Sequence, residues 1–257
     1  MKNVTPKWYL IADPSDTGQL EQFLVDNQIA WRPDPKVSFT ENLMEFAGRL
    51  CYESWASEDG TFANLNISKV REGNETYLGN VLQQKHGSIF EHGGLVYLFN
   101  NVSRIFTHEQ VRHRLAGFSQ TSGRYCRNED IPFWIPPVIA DDPEAKAVFE
   151  DIITRIEDAQ LWLADHYDID NKSFSEKKKL TSAFRRIAPN GIANNLLMST
   201  NHRAMRHMIT MRASVHAEEE IYKIYSEIAV DLKARYPSIY QDLEFVDGSW
   251  SFRNTKV

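Results

Sequence analysis

The second half of the chain is written in helical period, and this limits its fold more than any other feature. Residues 143–167, 175–186, 192–212 and 216–235 all read as helices. Upstream, segment 38–52 sets Leu43, Phe46, Ala47 and Leu50 at helical spacing behind a Thr40 cap, which puts Cys51 on the packed side. Residues 75–86 read as a helix ended by Gly87, and Ser103 caps a helix that runs to about Ala116, with Gly117 as its stop. The apolar, aromatic run GGLVYLFN, 93–100, reads as a strand. FSQTSGRYCR, 118–127, is a polar loop, and IPFWIPPVI, 131–139, is barred from helix by its three prolines. Helix dominates, strands are few, and the sequence holds no repeat.

With 257 residues, 42% hydrophobic and 25% charged, the chain has an ordinary globular composition. A compact fold of this mass buries roughly 70% of the extended chain's surface, so the core needs no staples. Glycine and proline are modest at 12 and 10, and no linker-like tract interrupts the sequence, so one domain spanning 1–257 is expected. The two cysteines, Cys51 and Cys126, are too few for a disulfide framework and lack zinc-site spacing, which fits a reducing, cytoplasmic setting. The apolar stretch before Asp13 is only about five residues, short for a signal peptide. No run approaches the ~18 apolar residues of a membrane span, so no membrane partner is expected.

Charge is distributed unevenly. Residues 104–127 hold five arginines against Glu109 alone, and residues 177–216 hold eight Lys or Arg and no acid, a joint balance of +12 within a chain of net −6. A local positive pocket in an acidic protein suits a small anionic ligand, whereas an extended nucleic-acid surface would make the chain basic overall. No nucleic-acid partner is expected. Neither GxxxxGK nor GxGxxG occurs, so the usual nucleotide phosphate turns are missing. The H-x-E at His216–Glu218 has no P-C-x-x-C after it, and His202 and His207 stand five apart, the wrong spacing for one helical face, so no metal site is expected. Glu109 with His113, and His216 with Glu220, read as surface pairs one turn apart. Met205 and Met208 read as core packing.

The informative stretch is RHRLAGFSQTSGRYCR, Arg112 to Arg127. Three cationic side chains crowd a helix end. The loop after them offers Ser119, Gln120, Thr121, Ser122 and backbone amides ahead of Arg124, a set that wraps a phosphate. This stretch resembles the signature of the flavin-dependent thymidylate synthases, RHR, seven residues, then Ser: here Arg112, His113, Arg114 and Ser122. HGSIFEH, 86–92, is similar to that family's H-x-x-x-F-E-H element. Asn201 with Arg203, and Arg212 with His216, resemble its N-x-R and R-x-x-x-H elements, and AGRLCY, 47–52, resembles a further helical element. The matches thread in order from about residue 40 to 235.

The resemblance implies an α+β fold, a small mostly antiparallel sheet packed with long helices, in a homotetramer with shared active sites. It implies conversion of dUMP to dTMP, with methylenetetrahydrofolate as one-carbon donor and FAD, reduced by NADPH, as hydride carrier. Carried over position by position, Ser88, Glu91, Arg112, His113, Arg114, Asn201, Arg203 and His207 become FAD-site residues. Gln110, Arg112, Gln120, Thr121, Ser122, Gly123, Arg124, Arg185 and Arg212 become dUMP-site residues, and His86 stands where folate meets the flavin. Arg212 and Ser122 carry the catalytic assignment: Arg212 stabilises the deprotonated uracil imide, and Ser122 works without forming a covalent adduct. On a continuous helix Asn201, Met205, Met208 and Arg212 share a face within about 60° and Arg203 lies nearly opposite. Either that helix breaks or Arg203 serves another subunit's site. The chain departs from the family's usual residues at Cys51, Glu109, Gln120 and His207. Two readings stand beside this one, a catalytically silent flavin-binding protein and a helical nucleic-acid binder.

Overall fold

The computed structural model describes residues 1–67, 69–127 and 130–257. In chain order it contains β1 (Lys2–Asn3), β2 (Lys7–Ala12), α1 (Gln19–Asp26), α2 (Phe39–Tyr52), α3 (Asn74–Gln83), β3 (Gly94–Ser103), α4 (Arg104–Gln110), β4 (Gly117–Gln120), β5 (Pro132–Phe133), α5 (Pro137–Ala140), α6 (Pro143–His166), α7 (Phe174–Phe184), β6 (Ala193–Asn201), α8 (His202–Arg212), α9 (Glu219–Arg235), β7 (Leu243–Val246) and β8 (Ser249–Phe252). The fold is α+β, as expected. Among the described residues no helix is long and apolar enough to cross a membrane.

The chain divides into two compact units, each assembled from separate stretches of sequence. The first comprises Met1–Tyr9, Tyr97–Met198 and Glu218–Glu220, and the second Leu10–Val96, Ser199–Ala217 and Ile221–Val257.

The first unit is organised on a sheet of order β2-β3-β6-β4. Tyr97 and Phe99 of β3 are fully buried on alternate positions. Asn101 then takes a left-handed φ of 58°, the buried parity shifts, and Val102 turns inward; asparagine tolerates this backbone better than most residues. Ile131, Phe133, Ile135, Ile153 and Ile192 form one core cluster, and Ala164, Ile169 and Phe184 another. Gly191 is needed for the first, because a β-carbon there would lie 2.3 Å from the Phe133 ring. Glu157, 7% exposed, ties the same region by accepting the N–H of Ile131 and the amino terminus of Met1.

The second unit packs α2, α3, α8 and α9 with the β7–β8 hairpin. Ile221, Ile224, Tyr225, Ile228 and Leu232 form the buried stripe of α9. Met205 and Met208 on α8 are fully buried, as the sequence indicates. A capping box opens α2: Ser38 Oγ accepts the Glu41 N–H while the Glu41 carboxylate takes the Ser38 N–H.

Several local expectations are corrected. The largest concerns 192–212, which is not one helix: Ala193–Asn201 is strand β6, with Leu196 and Met198 buried and Leu197 exposed, and the helix starts at His202. Its apolar residues fit a period of two as well as 3.6, and a strand partner decides between them. The cap of α2 is Ser38, not Thr40, and Leu50 and Cys51 are exposed because the last turn of α2 runs clear of the core. Ser103 does cap α4, yet that helix stops at Gln110, and Gly117 opens β4 instead of ending a helix. Helix α3 ends at Gln83, and Gly87 starts a 3-10 turn, Gly87–Glu91. The proline-rich segment includes the one-turn helix α5, because Pro137 occupies the first helical position, where its missing N–H costs nothing.

Candidate functional site

In the first unit the site begins at the junction of β3 and α4. The Ser103 hydroxyl accepts the Phe106 N–H at 3.0 Å and donates to Glu220, while Glu220 also accepts the Ser103 N–H at 2.9 Å. Glu220 is 2% exposed, so it is a buried anchor for this helix start and not the surface partner of His216. Gln110 closes α4 fully buried, with its side-chain amide on the sulfur of Met198. Because α4 ends there, Glu109 and His113 do not share a helix as the sequence suggested.

After this stop the RHR motif alternates. His113 is buried, while Arg112 and Arg114 face outward and line a hollow of about 440 Å³ with His108 and Val111. The chain continues along β4, where Gln120 donates to the Thr107 hydroxyl and the Thr121 N–H to the Asn195 carbonyl, both at 3.0 Å. A tight turn follows: Ser122 Oγ accepts the Arg124 N–H, and the Ser122 carbonyl accepts the N–H groups of Tyr125 and Cys126. The Ser122 hydroxyl therefore helps shape its own loop.

This turn borders a second cavity, of about 580 Å³. Thr121 and Gly123 line it together with Arg104, Arg127, Arg185 and Arg186, and among the described residues its wall contains no Asp or Glu. The Arg185 stem crosses Gly123, its Cδ 3.6 Å from where a β-carbon would stand. Arg127 is paired with Asp170 at 2.5 Å. Sequence reasoning assigned Arg185, Thr121 and Gly123, and missed Arg104 and Arg186 as companions; their only signal was the excess of basic residues in two acid-depleted segments.

In the second unit the remaining candidates gather around the 3-10 turn and the start of α8. His86 precedes the turn and stacks on Tyr52, with ring centroids 6.1 Å apart. Ser88 and Glu91 are exposed on the turn, and Glu91 pairs with Arg203 at 2.5 Å. A β-carbon on Gly87 would stand 2.8 Å from Arg203 Nε, so only glycine lets this backbone pass beneath the guanidinium. Asn201 caps α8, accepting the Ala204 N–H at 2.9 Å. The helix thus breaks at Asn201, but Arg203 and Arg212 stay on the one helix α8 about 180° apart: Arg203 and His207 lie one turn apart on the outward side, while Arg212 is half-buried in the last turn.

Beneath this surface the charge is paired. Arg206, 4% exposed, meets Asp242 through two bonds of 2.8 Å and lies 3.9 Å over the Phe252 ring. Burial works against the Asp242 charge, but Arg206 and Asn254 hold its carboxyl below the usual range. His202 is fully buried with Nδ1 2.9 Å from the Tyr240 hydroxyl, and burial pushes its imidazole down to about 3. His202 is therefore a neutral core residue.

The donors suit anionic ligands. The hollow of Arg112, Arg114 and His108 offers three cationic or proton-donating groups to a dinucleotide pyrophosphate. Comparison with known proteins agrees with this chemistry. The profile of the family described as thymidylate synthase complementing protein matches residues 36–238. The flavin-dependent thymidylate synthase of Mycobacterium marinum is 32% identical over 242 residues, covering 89% of this chain and 90% of that protein. Those of Mycolicibacterium gilvum and Corynebacterium diphtheriae are 33% and 32% identical, over 79% and 86% of both chains respectively. The chain belongs to the thymidylate synthase complementing protein family.

Proposed function

We propose that this protein is a flavin-dependent thymidylate synthase, converting dUMP to dTMP with methylenetetrahydrofolate as carbon donor, FAD as flavin and NADPH as reductant. The observation that carries this reading is the arginine-lined cavity, with no carboxylate among the described residues of its wall, bordered by the Ser122 turn and crossed by Arg185, in a chain of this family. The bound flavin supplies the hydride that completes the methyl group.

The remaining work falls to the protein's own groups. Arg124, Arg185 and the amides of the Thr121–Gly123 stretch receive the dUMP phosphate, with Gln110, Gln120 and the Ser122 hydroxyl fixing the nucleotide. Arg112, His113 and Arg114, with Ser88, Glu91, Asn201, Arg203 and His207, hold the dinucleotide, and His86 borders the folate. Arg212 meets the uracil imide. A guanidinium ~4 Å away at an effective dielectric of ~20 favours the imide anion by about 4 kcal/mol, on the order of three pKa units, which enriches the ring carbon that takes the one-carbon unit. Neither cysteine is needed as a nucleophile. The functional form is a cytoplasmic homotetramer of a single domain, residues 1–257, with each site shared between subunits.

The test is an absorbance spectrum of the purified protein followed by turnover. A flavin spectrum, bleached by NADPH and restored only when methylenetetrahydrofolate and dUMP are added together, with dTMP formed, is the expected result. A flavin that cycles without dTMP would leave a silent flavoprotein. Absence of flavin with tight, steeply salt-dependent DNA or RNA binding would favour the nucleic-acid reading.

A further inference from the structure

The cavity beside the Ser122 turn carries more positive charge than a nucleoside monophosphate uses. Four guanidiniums line it, and among the described residues only Arg127 has a carboxylate partner, Asp170. Arg104, Arg185 and Arg186 have no ion-pair partner among the described residues. One phosphate monoester carries about −1.5 to −2 near neutral pH, which two guanidiniums match. Arg124 lies outside the lining; with Arg127 held by Asp170 and Arg185 given to that phosphate, Arg104 and Arg186 remain.

Both are delivered by fixed backbone. Arg104 is half-buried at the first position of α4, its N–H bonded to the Ile192 carbonyl at 3.2 Å and the helix start anchored by Glu220. Arg186 follows Arg185 in a 3-10 turn that extends α7. Between them Asn195 accepts from the Asn100 side chain at 2.8 Å and the Asn101 N–H at 3.1 Å, which holds the strand end that forms the wall. The volume of about 580 Å³ lies within the ordinary range of pockets for small ligands, about 300–1,000 Å³. Arg104 is half-buried and Arg186 exposed, and guanidiniums without a carboxylate, on a wall with no acid among the described residues, can bind an anion from solution.

We propose that this cavity accepts a polyphosphate chain, that of a nucleoside triphosphate, with Arg104 and Arg186 holding the phosphates beyond the first. For the nucleotide part the inference rests on the proposed dUMP site. A pyrimidine deoxynucleoside triphosphate then competes with dUMP, so the fully phosphorylated descendants of the product restrain the reaction.

Equilibrium binding to the whole protein at 0.15 M salt tests this, with dUMP, dUTP, inorganic phosphate and inorganic tripolyphosphate as probes. The expected result is that tripolyphosphate binds at least tenfold more tightly than phosphate, and dUTP more tightly than dUMP. Arg104→Gln and Arg186→Gln should each weaken dUTP and tripolyphosphate tenfold or more while changing dUMP by less than threefold. Lys178→Gln with Lys179→Gln removes two charges of α7 outside the cavity wall and should change none of these by more than threefold. Equal losses in that control, or equal losses for dUMP and dUTP in the arginine variants, would overturn the proposal, as would a loss of flavin in place of polyphosphate. Normal dUMP turnover with dUTP bound no better than dUMP overturns this inference alone. Tripolyphosphate binding that depends on Arg104 and Arg186 without any dUMP affinity would sink the substrate reading and leave the polyphosphate site standing.

Discussion

In the second unit Arg49 and Arg206 are 3% and 4% exposed, and each meets a carboxylate, Glu45 at 2.7 Å and Asp242 at 2.8 Å. In the first unit Arg104, Arg185 and Arg186 line a cavity whose wall has no acid among the described residues. The same side chain does two jobs, and its partner decides which. Arg49 also donates to the carbonyls of Ser54 and Arg71 and lies 4.7 Å over the Tyr77 ring, so its hydrogen-bonding capacity is largely spent within the protein. Arg104, Arg185 and Arg186 have no ion-pair partner among the described residues. A buried guanidinium must be satisfied internally, because an unpaired charge away from water costs several kcal/mol, whereas an accessible one can wait for an anion.

The strongest way to break this contrast is to unpair the buried arginine. Arg206→Ala leaves Asp242 without its partner and should cost about 3–5 kcal/mol in denaturant unfolding, while Arg206→Met with Asp242→Leu should recover most of it. A loss below about 1 kcal/mol would mean that the pair is not structural. Six residues along the same helix, Arg212→Ala should cost less in unfolding than Arg206→Ala and leave flavin reduction intact, yet slow dTMP formation by roughly a thousandfold, the rate equivalent of about 4 kcal/mol. Wild-type turnover there would remove Arg212 from the chemistry.

Acid sharpens the contrast on the buried side. His202 stays neutral when folded down to about 3, whereas the unfolded chain binds a proton near 6.5. Stability therefore falls as pH drops from about 6.5 toward 3, by up to about 1.4 kcal/mol per pH unit, and this contribution vanishes above that window. Urea titrations between pH 4 and 7 should show a shallower slope in His202→Gln. An unchanged slope would assign the acid sensitivity elsewhere. On the open side, Ser122→Ala should weaken dUMP binding by ~1–3 kcal/mol and keep measurable turnover, the cost of one lost partner to a charged acceptor. Calorimetric titration reads the first and dTMP formation the second, and a trapped substrate adduct on Ser122 would contradict the assignment. The smallest effect is expected for Cys51→Ala with Cys126→Ala. Both thiols are exposed, and the double variant should form dTMP within roughly tenfold of the parent.

Much of this was legible from local signals. The α6 start at Asp142–Pro143, the Ser103 cap and the apolar stripe of α9 depend on neighbours within a turn or two, and such patterns survive in sequence. The RHR motif and the Ser122–Gly123–Arg124 loop were also readable, because that chemistry sits in one continuous stretch. What escaped needed a partner far along the chain. Residues 193–201 became a strand because a sheet was there to pair them, and their own periodicity left both outcomes open. Glu220 looked like a helix-surface acid until Ser103, 117 positions earlier, came to rest against it. Arg104 and Arg186 were visible only as excess charge. Sequence by itself determined that most of the helices form, which residues can donate to an anion and which family pattern they follow, since these rest on local periodicity and residue chemistry. Tertiary structure alone decided which arginines are spent on carboxylates and which remain available, because burial and pairing depend on the residues that folding brings together.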